Sequence, residues 1–285
     1  MAIQFYNGEF LPKEAIKFSI NDVGILRGYG IFDFMRAVDG VPLFLENYLD
    51  RFFNSARITG MEVPYSREKI ESVIHELVTI NGFALGYVKL VMTGGDSPDG
   101  FLPGRPNLAI LNDTLQSPPA HKFEEGISLL TCDYTRDFPQ AKSVNYVMSI
   151  RLNPQKAAGG HEDVLYHHNG LISEVSRSNV FFFKGRKLIT NEAGILQGIT
   201  RMQVLKAAQG TFETDVRDFT MDELLAADEM FMTGSNKLVM PVVRLDDHLI
   251  ADGKVGAKSK QMLQLFKNRV EQYVREKKAG RPSTK

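Results

Sequence analysis

The chain has 285 residues, 43% of them hydrophobic, enough to bury one large core or two modest ones. Lysine plus arginine and aspartate plus glutamate stand at 34 each, so no global field favours nucleic acid or an anionic membrane surface. One cysteine, Cys132, excludes an internal disulfide framework and points to a reducing cytosol. No basic region followed by an apolar run opens the chain, and no apolar stretch approaches the length of a bilayer span. A cytoplasmic protein is expected.

In chain order, residues 3–18 predict short strands around the turn Asn7-Gly8. The segment from Asp22 to Asp33 is punctuated by glycine and runs into a strand at Ile31 to Arg36. Its lone Gly28-Tyr29-Gly30 lacks the full glycine spacing of a dinucleotide fingerprint. Asp39-Gly40 makes a hairpin-type turn. Residues 45–59 predict a helix with Leu49, Phe52, Phe53 and Ala56 on one face and Gly60 as its stop. Ser66 caps the next helix, where Ile70, Val73, Ile74, Leu77 and Val78 recur at helical spacing before Gly82. Strands over 87–93 and 107–111 complete a small α+β domain of residues 1–115.

Gln116-Ser117-Pro118-Pro119-Ala120 reads as a linker, and residues 121–275 as a larger, strand-rich domain. Strands are expected over 127–131, 163–167 and 171–183, the last two joined by the turn Asn169-Gly170. Another strand follows Gly185 at 188–190. Thr200 is expected to cap a helix whose apolar face is Val204, Leu205 and Ala208, with Gly210 closing it. Thr220-Met221-Asp222-Glu223 is a capping box, 229–233 a strand, and Met262, Leu263, Phe266, Val270 and Tyr273 mark a last amphipathic helix. Residues 276–285 read as a flexible basic tail.

Three pieces of the second half make chemical sense together. Lys142, in Gln140-Ala141-Lys142-Ser143-Val144-Asn145-Tyr146, offers an amine that condenses with an aldehyde. Glu174, on the second strand of the expected hairpin, offers a carboxylate that would keep a facing pyridine nitrogen protonated. Gly198-Ile199-Thr200 offers a glycine-bearing helix start, with free N–H groups and a positive dipole end for phosphate. Amine, carboxylate and phosphate cup are the three grips that pyridoxal 5'-phosphate requires. No metal site is expected: His167 and His168 are adjacent on a strand and so point to opposite faces, and there is no His-Glu-x-x-His. A Gly-x-Ser-x-Gly nucleophile elbow is also missing.

The ordered motifs resemble those of the class IV (fold type IV) pyridoxal-phosphate aminotransferases. They are Lys142 followed by Asn145-Tyr146, Ser173-Glu174-x-Ser176-x-Ser178-Asn179-x-Phe181, and Ile195-Leu196-x-Gly198-Ile199-Thr200-Arg201. Gly28-Tyr29-Gly30-Ile31-Phe32-Asp33, Leu49-Asp50-Arg51-Phe52 and Ala227 to Val242 extend the likeness over nearly the whole chain. The resemblance implies a two-domain α+β homodimer with its active site at the domain and subunit interface. It implies Lys142 as Schiff-base lysine and general acid/base, and Glu174 as partner of the pyridine nitrogen. It assigns the phosphate to Arg51, Gly198, Ile199, Thr200 and Ser235, one ring face to Leu196, and the phenolic oxygen to Tyr146.

The substrate side departs from the relatives. The run Lys142-Ser143-Val144-Asn145 is closer to the D-amino-acid and aminodeoxychorismate-lyase members than to the branched-chain ones. Yet Ser97-Pro98-Asp99-Gly100-Phe101 lacks the arginine and histidine with which D-amino-acid enzymes hold the substrate carboxylate. Lys89 and Lys237 are expected to replace them, near Phe32 and Asn236, with Arg27 contributing from the other subunit. The expected reaction is ping-pong transamination between an amino acid and a 2-oxo acid such as 2-oxoglutarate, leaning to D-amino acids. L-branched-chain transamination, aminodeoxychorismate lyase and a cofactor-free binding protein on the same fold are the alternatives.

Overall fold

Asn7 and Gly8 take positive φ values and turn strand β1 (Ile3–Tyr6) back on β2 (Glu9–Pro12) in the computed structural model, which describes residues 2–280. Asp22 accepts a hydrogen bond from the Gly24 N–H and starts a short helix, α1 (Val23–Arg27), which the glycine-punctuated segment did not announce. Gly28 ends it in the left-handed conformation. The chain then alternates buried and half-buried residues through β3 (Gly30–Val38) and turns at Asp39-Gly40 into β4 (Val41–Pro42).

Helices α2 (Leu45–Thr59) and α3 (Arg67–Asn81) end at Gly60 and Gly82, both left-handed, and Ser66 caps α3 through the Lys69 N–H. Strands β5 (Leu85–Thr93) and β6 (Asn107–Thr114) complete a six-stranded sheet in the order β2-β1-β6-β5-β3-β4. Its pairings are antiparallel throughout. Ile31, Met35, Val88, Leu90 and Met92 on one face are buried with Leu49 and Phe52 of α2 and Ile74 and Leu77 of α3.

The second unit begins with α4 (His121–Glu125) and β7 (Ile127–Asp133), continues through α5 (Val147–Arg151) and α6 (Asn153–Gly159), and enters the hairpin β8 (Asp163–His168) and β9 (Leu171–Val175). The long strand expected over 171–183 is broken: Val175 bridges to Ser178, and β10 (Asn179–Lys184) starts afresh in another register. Strand β11 (Lys187–Thr190), helix α7 (Ile199–Ala208), β12 (Glu213–Val216), α8 (Met221–Leu225), β13 (Glu229–Gly234), β14 (Leu238–Leu245) and β15 (His248–Leu249) follow. The sheet runs β12-β11-β10-β13-β14-β7-β8-β9, with β15 paired to β14. One core packs on each face. Val180, Phe182, Met230 and Met232 point to one, while Phe181, Phe183 and Phe231 join Val204 and Ala208 of α7 in the other.

Unit membership is less simple than one linker at 116–120. Gln140–Asn145 and the described residues from Glu271 onward belong with the first unit, and Ser117–Pro139 and Tyr146–Val270 form the second. The last helix, α9 (Ala257–Ala279), also corrects the expected tail. Lys277 pairs with Glu46, Lys278 lies 3.1 Å from Asp39, and the Tyr273 hydroxyl donates to Glu46 at 3.1 Å. Those bonds hold residues 276–279 helical; residues 281–285 of that tail lie outside the described residues.

At α8 the expected capping box is present, with Thr220 accepting from the Glu223 N–H and Glu223 accepting from the Thr220 N–H. Thr220→Ala should cost about 1 kcal/mol. A urea titration reads that loss, and an unchanged midpoint would show that the box is dispensable.

Candidate active site

Lys142 sits on a short segment stitched to the start of β3. Its carbonyl accepts from the Phe32 N–H at 2.9 Å, the Val144 N–H donates to the Gly30 carbonyl at 3.0 Å, and Ser143 bridges to Ile31. The Lys142 N–H donates to the buried Ser55 hydroxyl of α2 at 3.1 Å. A Cβ at position 30 would lie 3.0 Å from the Met92 carbonyl, so glycine allows this close seam. With its backbone so fixed, Lys142 places Nζ 4.7 Å from the centre of the Phe32 ring.

Phe32 shares its sheet face with Phe34, Arg36, Tyr87, Lys89 and Val91, because opposed residues of an antiparallel pair point the same way. Lys89 Nζ lies 5.5 Å from the same Phe32 ring, and Tyr87 stacks on Phe34 with centroids 5.1 Å apart. Burial pulls the pKa of Lys89 below the usual lysine value. Burial does the same to Arg36, partly offset by Tyr48, and its Nε is buried without a hydrogen-bond acceptor. Among the described residues neither cation meets a carboxylate. Sequence reasoning singled out Lys89 and missed Arg36; an arginine alternating with aromatics on a strand is the signal that could have found it.

Arg51 lies on the opposite, buried face. Its Nε and Nη2 donate to Asp33 at 3.0 and 2.6 Å, and both side chains are almost wholly buried. The fork is therefore aimed and anchored by Asp33. Arg27, expected at a substrate, ends α1 exposed, with Nη1 donating to the Leu26 carbonyl.

In the second unit, Glu174 is 4% exposed on β9. Its Oε1 accepts from Arg136 and its Oε2 from the Leu196 N–H at 3.1 Å. Burial works against the charge of Arg136, but Glu174 outweighs it and raises the guanidinium pKa, with smaller help from Tyr146 and Tyr134. Tyr146 is half-buried at the start of α5, on that guanidinium's side.

Leu196 leads to the start of α7. Its carbonyl accepts from Asn179 Nδ2 at 2.8 Å, and a Cβ at Gly198 would lie 2.0 Å from Asn179 Oδ1. Only glycine fits there. Gly198 is the helix cap and no side chain caps it, so Thr200 is the second helical residue rather than the expected N-cap. Ile199, Thr200 and Arg201 are buried, yet the first N–H groups of a helix have no acceptor within it. A buried, uncapped helix start is an anion cup. Asn179 also opposes Thr233 across β10 and β13, which brings the strand end before Ser235 to this turn. The hydroxyls of Ser178 and Thr233 and Asn236 Oδ1 are buried without hydrogen-bond partners. Such orphans mark a place where a bound polar group belongs.

Lys237 departs from its expected role. Its Nζ donates to Glu162 Oε1 at 2.6 Å while Lys122 takes the other oxygen at 2.5 Å. Glu162, just before β8, reaches both lysines, so Lys237 is tied to a carboxylate that it shares with Lys122. Arg136 and Asn179 are the functional residues of this unit that sequence reasoning left without a role.

The family described as "Amino-transferase class IV" matches residues 30–245 of the chain. A putative branched-chain-amino-acid aminotransferase of Methanocaldococcus jannaschii is 32% identical over 276 residues, covering 93% of this chain and 95% of that one. A D-alanine aminotransferase of Staphylococcus epidermidis is 27% identical over 277 residues, covering 94% and 98%. Among solved structures, a branched-chain amino acid aminotransferase of T.th. with pyridoxamine 5'-phosphate superposes with a TM-score of 0.88 at 27% identity, covering 95% and 96%. The same enzyme with N-(5'-phosphopyridoxyl)-L-glutamate gives 0.87 at 26%.

Removing one side of the buried Arg136–Glu174 pair should be severe, because it strands the other charge. Arg136→Gln is expected to cost about 3–5 kcal/mol of stability in urea unfolding. A loss below about 1 kcal/mol, the worth of an exposed pair, would place it in water.

Proposed function

The chain belongs to the class IV aminotransferases, and we propose that it uses pyridoxal 5'-phosphate to move an amino group between an amino acid and an acidic 2-oxo acid such as 2-oxoglutarate. The observation that carries the cofactor reading is the buried Glu174 carboxylate hydrogen-bonded to the turn that opens the uncapped helix α7. A negative group and an anion cup tied to one turn suit a molecule with a ring nitrogen at one end and a phosphate at the other. The solved neighbour with pyridoxamine 5'-phosphate supports the same choice.

In this reading Gly198, Ile199, Thr200, Ser235 and the anchored Arg51 hold phosphate, Glu174 holds the ring nitrogen, and Leu196 and Tyr146 pack and orient the ring. When bound, pyridoxal phosphate supplies an aldehyde and a ring that takes up the electrons left by a departing proton. Lys142 supplies the amine that holds the aldehyde. During turnover its Nζ would take the proton from the substrate α-carbon and deliver it to the carbon that came from the aldehyde, not back to the α-carbon. Phe32 beside Nζ covers one side of the amine.

The acidic acceptor is argued from Lys89 and Arg36. A desolvated cation without a counter-charge is costly unless an anion completes it. Arg36 is opposite Tyr87 and Lys89 opposite Phe34, so the two cations are diagonal neighbours on one face. Both ends of a 2-oxo diacid can thus find positive charge on the sheet that carries Lys142. The neighbour bound to N-(5'-phosphopyridoxyl)-L-glutamate supports an acidic substrate. For the amino donor, the Lys142-Ser143-Val144-Asn145 run favours a D-amino acid, as does the D-alanine aminotransferase relative. The M. jannaschii relative favours an L-branched-chain one.

Loss of the visible absorbance of the cofactor-loaded protein on adding D-alanine, but not L-leucine, would select the first donor, and the reverse the second. Silence with both and with L-glutamate would end the transaminase reading. Lys89→Ala should raise the KM for 2-oxoglutarate by about tenfold or more, the worth of one charge-assisted hydrogen bond, while leaving that for pyruvate nearly unchanged. Equal effects on both acids would remove Lys89 from the acidic end. The sign of the pH effect follows from the lowered lysine pKa. Lys89 is charged below that pKa and neutral above it, so the KM for 2-oxoglutarate should climb with pH before an ordinary lysine titrates. Lys89→Arg should flatten that climb.

A further inference from the structure

The first unit also contains a cleft of about 450 Å³ beside the chain between β5 and β6, within the usual range for small-molecule sites. Tyr6, Lys17, Tyr65, Asp96, Arg105 and Asn107 line it; Phe32, Lys89 and Lys142 do not. Its floor is locked. Asn107 donates to the fully buried Asp22 at 2.7 Å and accepts from Asn7 at 2.7 Å, so both ends of its amide are engaged.

The charged groups are a different matter. Lys17, Asp96 and Arg105 form no ion pair with any described residue, although charges of both signs line the same cleft. The backbones of Asp96 and Arg105 are held close together. A Cβ at Gly95 would lie 1.8 Å from the Arg105 carbonyl, and a Cβ at Gly104 would lie 2.0 Å from the Asp96 carbonyl. Gly95 also has φ of 75°, which favours glycine. The two strands of the loop therefore cross where only glycine fits, and the crossing holds Asp96 and Arg105 at a set spacing. Asp96 is further pinned by its bridge to Asp22, and the Ser97 N–H donates to the Asn21 carbonyl at 3.1 Å.

Lys17, Asp96 and Arg105 are exposed, and charges of opposite sign along one cleft match a ligand that carries both. A simple anion would leave Asp96 unmet and be repelled by it, and a simple amine would fare the same with Arg105 and Lys17. Two phenol rings border the cleft, each held edge-on by a phenylalanine: Tyr6 by Phe18 at 5.4 Å and Tyr65 by Phe5 at 5.6 Å. Burial, then Asp22 and Asp96, raise the pKa of Tyr6, which keeps its hydroxyl neutral and able to donate.

We propose that this cleft binds a free α-amino acid, its carboxylate held by Arg105 and Lys17 and its ammonium by Asp96. Lys142 of the same chain does not line this cleft, and the proposal does not depend on the reaction proposed at that lysine.

Calorimetric titration of the full-length Lys142→Ala protein with L-leucine tests it, alongside 4-methylpentanoate, which lacks the amine, and 3-methylbutylamine, which lacks the carboxylate. Saturable binding of leucine is expected, with each one-charge analogue weaker by about tenfold or more. Arg105→Gln and Asp96→Asn should each weaken leucine to a similar degree while turnover by the otherwise wild-type enzyme persists. The idea fails if leucine does not saturate, if neither substitution changes its binding, or if the carboxylate alone binds as well. Should Lys142→Ala not fold, the cofactor-loaded wild type titrated with 2-aminoisobutyrate, which has no α-proton, gives the same test through the same two substitutions. There a binding event lost with Arg105→Gln supports the site, and one indifferent to it overturns the site.

Discussion

A carboxylate taken out of water must be given back its hydrogen bonds, and Glu174 sets that condition for the second unit. Arg136 and the Leu196 N–H meet it. Each imposes geometry in turn. The Leu196 bond fixes the turn ahead of α7, and Asn179 holds the same turn from the sheet through the Leu196 carbonyl. Gly198 is then compelled, since any side chain would occupy the space of the Asn179 amide. The helix that follows starts without a side-chain cap and buried. Relative to glycine, a serine or aspartate cap there would gain only about a few tenths of a kcal/mol. Without a side-chain cap, the first N–H groups of α7 have no acceptor within the helix.

The same accounting separates structure from function in the first unit. Asp33 and Arg51 are buried on the helix-covered face of the sheet and satisfy each other with two hydrogen bonds. Arg36 and Lys89, three residues along the strand and on the neighbouring one, are desolvated on the other face with no carboxylate among the described residues to meet them. A carboxylate that takes two hydrogen bonds from a buried guanidinium holds its fork in one orientation. Half-buried charges that do not close mark where a charged molecule belongs.

Much of this was legible in the sequence where local physics decides. The glycine stops at Gly60 and Gly82, the Ser66 cap, the Thr220 capping box and the hairpin bearing Glu174 follow from residue type and spacing, and the structure has them. The placement of Thr200 failed because Gly198 took the cap, a choice set by Asn179 nearly twenty residues away. The single strand over 171–183 failed for a related reason: no glycine or proline marks a break at Ser176-Arg177-Ser178, but a bridge from Val175 to Ser178 shifts the chain to another register. Lys237 looked available because nothing nearby in sequence opposes it. Glu162, seventy-five positions earlier, does so in space.

These misses share a direction. Sequence spacing identifies which groups can act, while long-range contacts decide which of them are already spent. Lys89 and Lys237 are alike in sequence, each a lone lysine among polar and apolar neighbours. The fold gives Lys237 a carboxylate at 2.6 Å and Lys89 an aromatic ring at 5.5 Å. A cation against a ring stays attracted to any anion that comes near, because the ring supplies no full charge to cancel it. The division of labour among the lysines therefore follows from what each one faces. Lys142 and Lys89 face the same phenylalanine, while Lys237 and Lys122 hold Glu162 in place.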